Sequence, residues 1–393
     1  MNDMFGIDAQ HCAKCNSFRV GDGYDPVPGV RRRTGDSGLW NATPLASKAK
    51  ASVNESVIRA MSTIRFYFAR CSLQVLTVMC LLLCISLPGC ASFFADRLVK
   101  PPNHDVPVSQ LSDSSQSWMK FIGVDGQMRV KVGPPDASLF MWIVEPRNEE
   151  GAIVASRGTI LILHGLNDGA FWMLGKAQHL SRHGYRTVVV SLRGYGRSSG
   201  DYRTFGVVEK RDLSQVIDAL QEQKLCTDRV GVWGMSYGAA TALELAGHDP
   251  RIKAVVAVAG FSSMREVVPG TSRLLIPVIG WFTSDAMWHE AIDEAGRRAG
   301  FDPDDADAKK AITKTKAAVL LVHGTCDMIV PYANATRLIA CADPQRSKLI
   351  TIPLAGHISI WIDPDGQVAR EGLAWFDRWL PAEADDGETG CIE

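Results

Sequence analysis

Neither charge predominates in this sequence: 42 Lys and Arg stand against 43 Asp and Glu, a formal net charge of −1 over 393 residues. A dedicated nucleic-acid binder usually shows a clustered basic excess, so no nucleic-acid partner is expected. Cysteine is sparse, with 10 residues, too few for a disulfide scaffold. No metal constellation appears either. The lone CxxC at Cys12-Ala13-Lys14-Cys15 has only His11 beside it, whereas a structural zinc needs four ligands. No cofactor is called for. With 46% hydrophobic and 22% charged residues, the chain also lacks the apolar-poor composition of disordered proteins. What is left is a globular body of enzyme size, and α/β folds often run to about 250 residues as one domain.

One long apolar run is present, near the front. Residues 71–95 carry no charge, with their heart at Leu76 to Ile85. Arg65 and Arg70 precede them, the charged leader and apolar core of an export signal. The run contains Leu87-Pro88-Gly89-Cys90, which resembles the lipobox of bacterial lipoproteins and implies lipidation at Cys90. The alternative is an uncleaved transmembrane anchor, since the run is long enough for a ~30 Å hydrocarbon core. Both readings tether the protein to a membrane of the bacterial cell envelope, through a lipid anchor or a hydrophobic helix, with the rest extracytoplasmic. Residues 1–60 are Gly-, Arg- and Ser-rich with little apolar periodicity. They read as a disordered or non-native extension, with translation starting at Met61, so that 61–89 is the signal or anchor. Residues 90–119, with Pro101, Pro102, Pro107 and a Ser-rich run, read as a solvated tether spanning about 25–30 Å. Residues 120–380 are the folded domain and 381–393 a tail.

Within that domain, apolar runs alternate with helical patterns. A hairpin is expected from 127–132 and Leu139 to Val144. Continuous apolar runs follow at Thr159 to Leu163, Arg186 to Ser191, Arg229 to Trp233, Lys253 to Ala259, Ala317 to Val322 and Lys348 to Ile352. Such runs belong to parallel strands buried on both faces. Helices are expected near 171–183, 207–223, 237–246, 331–341 and 366–380, the second with Leu213, Val216, Ile217 and Leu220 at helical spacing. The fold class is therefore α/β, a mostly parallel sheet flanked by helices, with ligands at the strand carboxyl ends.

Gly-x-Ser-x-Gly occurs twice, at Gly234-Met235-Ser236-Tyr237-Gly238 and at Gly196-Arg197-Ser198-Ser199-Gly200. The former follows a strand directly and opens an apolar helix, as a nucleophile on a sharp strand-to-helix turn must. The latter leads into Asp201-Tyr202-Arg203 with no such helix. Ser236 is the expected nucleophile and Ser198 a loop serine. A serine hydroxyl needs a base, and the base an orienting carboxylate. Asp327 and His357 each follow a strand, in Cys326-Asp327-Met328-Ile329-Val330-Pro331 and Ala355-Gly356-His357-Ile358. Asp302, Asp304, Asp305 and Asp307 read instead as a solvated acidic run.

With His164-Gly165, the elbow, the Asp-x-x-Val-Pro loop and the Gly-His loop in the order Ser, Asp, His, residues 120–380 resemble an α/β-hydrolase. Asp249 to Val256 and the insert after it are similar to the serine-aminopeptidase-like and dienelactone-hydrolase-like branches. The resemblance implies a serine esterase, lipase-like in its class, with catalytic Ser236, His357 and Asp327. It places the oxyanion-hole donors on the backbones of Leu166 and Tyr237, and it makes His164 and His323 loop-shaping residues. A small-molecule ester or acyl substrate follows, with thioesters and peptides also within those branches. A binding module that keeps the fold without catalysis is the different-class alternative.

Residues 261–310 form an insert with Leu274, Leu275, Ile276, Val278, Ile279, Trp281 and Phe282. It reads as a short lid lining an apolar pocket, or equally as a crossover helix packed on the sheet. Cys326 and Cys341 flank a helix too long for a disulfide between them, and Cys326 reads as a packed thiol.

Overall fold

The structure, a computed structural model, describes residues 88–104, 115–166, 169–226, 228–276 and 283–381, with backbone alone for 88–90. The elements run in chain order as α1 (Pro88–Val99), α2 (Gln116–Phe121), β1 (Gly126–Val132), β2 (Ala137–Val144), β3 (Thr159–Leu163), α3 (Leu174–Ser181) and β4 (Arg186–Val190). There follow α4 (Glu209–Glu222), β5 (Val230–Met235), α5 (Tyr237–His248), β6 (Ile252–Val258), α6 (Met264–Leu275), α7 (Asp285–Ala299) and α8 (Ala308–Lys314). The series closes with β7 (Ala318–Gly324), α9 (Ala333–Cys341), β8 (Ser347–Ile352), α10 (His357–Ile362) and α11 (Gln367–Trp379).

Eight strands make one sheet in the order β1-β2-β4-β3-β5-β6-β7-β8. β1 and β2 pair antiparallel and β2 joins β4 antiparallel, while the other neighbours are parallel. Every residue of β3, β5 and β7 is buried, as strands covered on both faces require. Successive side chains point to opposite faces, which splits the core in two. Leu161, Leu163, Val230 and Val232 face α4 and α5 on one side. Ile160, Ile162, Trp233 and Met235 face α3 and α11 on the other. The mostly parallel sheet expected from the apolar runs is the sheet observed.

The segment before residue 120 departs from expectation. The tether read over 90–119 does not start at Cys90, because α1 is docked on the body. Ala91, Phe94, Ala95 and Val99 are buried, on the i, i+3, i+4, i+8 face of a helix. The Phe94 ring packs on Trp288 of α7, with centroids 4.7 Å apart. The Arg298 guanidinium bonds Asp96 and Ser92. Arg203 donates to the carbonyl oxygens of Leu98 at 2.7 Å and Arg97 at 2.6 Å, capping the helix's otherwise orphaned last acceptors. Beyond α1, Asn103 Nδ2 reaches the carbonyls of Gly196 and Ser198. The folded unit thus reaches at least as far back as Pro88, ahead of the expected boundary at 120. Replacing Phe94 by Ala should cost about 3 kcal/mol through the cavity it leaves, read as a lowered urea midpoint; an unchanged midpoint would mean that α1 adds nothing to the fold.

α7 also answers the lid expectation in part. Trp288, Ala291, Ile292 and Ala295 are buried on it, so 285–299 is packed scaffold carrying α1. Leu274 and Leu275, at the end of α6, are exposed. Val278, Ile279, Trp281 and Phe282 lie outside the described residues. Most of the apolar leader lies outside them too, as do residues 1–60 and the tail after 381. Cys90 falls in the first turn of α1, its side chain outside the description. Among the described residues no helix is long and apolar enough to cross a membrane.

Candidate active site

Ser236 sits between β5 and α5 with φ 54° and ψ −112°, a conformation that costs a side-chain-bearing residue energy and persists only when its surroundings enforce it. The two flanking glycines supply the room. A Cβ on Gly234 would come 2.2 Å from the Gly238 carbonyl oxygen, and one on Gly238 would come 2.5 Å from the Leu163 carbonyl oxygen. Only glycine fits either place. Ser236 N–H donates to the Val258 carbonyl at 2.8 Å, which ties the turn to β6.

His357 opens α10, and its Nε2 lies 3.0 Å from Ser236 Oγ. Its Nδ1 lies 2.7 Å from Asp327 Oδ2. Asp327, 4% exposed, is itself held: its Oδ1 accepts the backbone N–H of Ile329 at 3.0 Å and of Val330 at 2.8 Å. The three residues singled out in the sequence therefore form one hydrogen-bonded chain across three loops. Because the carboxylate accepts from Nδ1, that nitrogen carries the proton and Nε2 is left free to accept one from the hydroxyl.

The rival residues fall elsewhere. Ser198 is fully buried, its hydroxyl donating to the Ser191 carbonyl at 2.6 Å and accepting from Phe140 N–H at 2.8 Å. It fastens a loop. Asp302 and Asp307 cap short helices, and Asp304 pairs with Arg265, so the acidic run is capping and pairing more than idle solvation. Cys326, expected as a packed thiol, is exposed, because it sits at the tip of the loop whose next residue, Asp327, turns inward. Cys226 is buried and Cys341 partly buried.

His164 is buried to 0% exposure. Its Nε2 accepts from Leu192 N–H at 3.1 Å and its Nδ1 donates to the Gly165 carbonyl at 2.8 Å. Burial pushes its imidazole down to about 4; burial likewise lowers His323. Both stay neutral and fasten loops. Since His164 binds its proton more weakly folded than unfolded, it favours unfolding once pH falls below its ordinary value near 6.5, and the loss is complete below about 4. That loss is about 3 kcal/mol. The melting temperature of His164→Asn should therefore fall less between pH 7 and pH 4.5 than that of the wild type, and equal falls would refute it.

Leu166 lies half-buried in the turn that follows β3, and Tyr237 is the first residue of α5. The Tyr237 N–H belongs to the helix's first turn, where no intrahelical acceptor exists. The close approach of Gly238 to Leu163 and His164 sets that turn against the end of β3. Asn167, next in the chain, lies outside the described residues.

A buried network behind the elbow was not read from the sequence. The Tyr237 hydroxyl donates to Glu209 Oε1 at 2.9 Å and accepts from Phe205 N–H at 3.2 Å. Burial raises the Tyr237 phenol well above its ordinary value, so it stays protonated. Glu209 also accepts from Thr204 and Gly206 N–H. Arg203, which caps α1, donates to Tyr195 at 2.9 Å, and the Tyr195 ring packs on His164 at 4.9 Å. The only signal was Glu209 and Asp212 at the start of an amphipathic helix, an ordinary first-turn placement. Among the described residues no cluster suited to a metal ion is found.

Two family models match parts of the chain. The X-Pro dipeptidyl-peptidase (S15 family) model matches residues 145–275, and the BAAT / acyl-CoA thioester hydrolase C-terminal model matches residues 214–362. Among curated proteins, the chain is 26% identical to dipeptidyl-peptidase 5 of Porphyromonas gingivalis over 51% of its own length and 28% of the relative. It is 26% identical to the uncharacterized peptidase YuxL of Bacillus subtilis over 61% of its length and 37% of that protein. The chain thus spans well under half the length of these two relatives. Among solved structures, the Pyrococcus furiosus esterase Pf2001 aligns over 72% of this chain and 98% of its own, with TM-score 0.52 and 20% identity. That likeness bears on the fold. With the eight-stranded sheet, its strand order and the two family matches, it assigns the chain to the α/β-hydrolase superfamily.

Proposed function

We propose that the chain is a serine hydrolase that cleaves carboxylic esters, or related acyl compounds, through an acyl-enzyme on Ser236. The observation that carries this reading is the continuous chain from Ser236 Oγ to His357 Nε2, at 3.0 Å, and from His357 Nδ1 to Asp327, at 2.7 Å. In the first half-reaction the Ser236 oxygen bonds the substrate's carbonyl carbon while its proton passes to His357 Nε2. The carbonyl oxygen becomes an oxyanion, and the backbone N–H groups of Tyr237 and Leu166 are its proposed donors; one such donor is typically worth about 3–4 kcal/mol of barrier. His357 then gives the proton to the leaving oxygen as the C–O bond breaks. Water, deprotonated by the same imidazole, releases the acid and restores Ser236. Asp327 fixes the tautomer throughout.

The S15 match and the two peptidase relatives favour a second reading, amide cleavage at the same serine, and the acyl-CoA hydrolase match favours thioesters. The chemistry differs only in the leaving atom that His357 protonates. A retained Ser, His and Asp in bonding contact argues against the non-catalytic binding module. Attachment to the cell envelope through Cys90 or the apolar run remains part of the proposal, supported by the charged leader and residues 71–90.

A fluorophosphonate probe tests the reading directly. Wild type and Ser198→Ala should label, and Ser236→Ala should not; labelling of Ser236→Ala, or none of folded wild type, rejects it.

A further inference from the structure

Five aromatic rings are linked pair by pair from the helix of the base to α2. Trp361 stands four residues after His357 on α10, and i, i+4 residues share a helix face. Its ring lies 6.0 Å from that of Trp172, edge to face. Trp172 lies 5.8 Å from Phe171, in the single 3-10 turn Ala170–Met173 just after the Leu166 corner. Phe171 stacks on Trp118 of α2 at 6.4 Å, and Trp118 on Phe121 at 5.6 Å. Trp361 is half-buried against the core, while the other four rings are exposed, and a contiguous exposed apolar patch commonly marks a binding surface. Trp172 is 60% exposed and Phe121 80%.

Two observations connect the line to the chemistry. Its near end lies on the helix that opens with His357, and its second member follows the corner that carries Leu166. Trp172 and Trp361 also line a small cavity of about 30 Å³ together with Met235, the residue before Ser236. A space of that size holds about one or two waters, not an alkyl chain or a ring. The cavity is too small for the apolar group of an ester, and the exposed Trp172 ring beside it offers such a group a surface. A wider cleft, about 560 Å³, lies beside α2 and holds none of Ser236, Asp327 or His357.

We propose that the line from Trp361 through Trp172 and Phe171 to Trp118 is the subsite for the apolar part of the substrate, so that the preferred esters carry a long alkyl chain or an aromatic ring. This rests on the hydrolase reading above. The apolar group comes from either side of the scissile carbonyl, the acyl chain or the alcohol, and the two are separated by experiment.

The test compares full-length wild type, Trp172→Ala and Trp361→Leu on p-nitrophenyl acetate and octanoate, and on ethyl and octyl acetate. Wild type should prefer the longer member of at least one pair. Trp172→Ala should lower kcat/KM for that longer member about tenfold and change the shorter one less than about twofold, mainly through KM. The effect in the first pair assigns the acyl side, and in the second the alcohol side. Equal changes for long and short members of both pairs, or none, overturn the proposal, as does loss of vesicle binding with an unchanged chain-length ratio, which would make the line a membrane contact. Trp172 is exposed and its removal spares the core; if Trp361→Leu misfolds, Trp172→Ala decides. Fluorophosphonate labelling of each variant separates the two failures, since a labelled Trp172→Ala with an unchanged ratio sinks this inference and leaves the serine mechanism standing.

Discussion

Ser236→Ala should lower kcat for ester hydrolysis by about 10⁵- to 10⁶-fold, the scale seen when a nucleophile acting with its base and acid is removed. The fold should survive the change. Alanine keeps the Cβ, so the strain at φ 54° is the same in both proteins, and the backbone bond to Val258 is untouched. What disappears is one hydroxyl and its bond to His357. Ser198→Ala supplies the opposite result. Its hydroxyl is fully buried and bridges Phe140 N–H and the Ser191 carbonyl. Losing it strands a buried donor, at about 1–3 kcal/mol, with activity retained in the protein that still folds. Measured side by side, kcat and urea midpoint should move in one variant each. A Ser236→Ala protein that hydrolyses esters normally would remove the nucleophile from the account.

Asp327→Asn should lower kcat by about 10⁴-fold with little loss of stability. The carboxylate does two separable things. Oδ2 faces His357 Nδ1 and sets the tautomer, while Oδ1 accepts the N–H groups of Ile329 and Val330. Asparagine can keep its oxygen on those two N–H groups, and its NH₂ then meets His357 Nδ1 as a donor. That drives the imidazole proton to Nε2, where it cannot accept from Ser236. Alanine would also leave two N–H groups without their acceptor, so Asp327→Ala should lose stability as well as rate. Paired kcat and thermal-melt measurements on Asn and Ala separate the roles. Equal melting temperatures with equal rates would show that the backbone contacts carry no weight.

The sheet and the three bonded residues were legible because each left a local trace. Buried parallel strands such as Thr159–Leu163 are continuous apolar runs, and a strand-to-helix turn with glycine on both sides of Ser236 leaves few alternatives. Asp327 and His357 were placed by their positions just past strands. Helix α1 was missed because composition pointed elsewhere. Ala91, Phe94 and Ala95 continue the uncharged run before them, and the prolines beyond Val99 look like a linker. Yet Pro101 packs where a Cβ on Gly194 would stand, and Arg203 and Arg298 lie far away in sequence. The helix's own buried spacing was the available clue. The aromatic line gave none, since residues 118, 171 and 361 meet only after the fold forms.

The sharpest test is the mass of the protein caught during turnover. Wild type mixed with a p-nitrophenyl ester and quenched in acid should gain the mass of the acyl group, on the peptide that contains Ser236. An acyl group on another residue, or turnover with no adduct while His357→Ala and Ser236→Ala hydrolyse the ester as well as wild type, would contradict a covalent mechanism at Ser236.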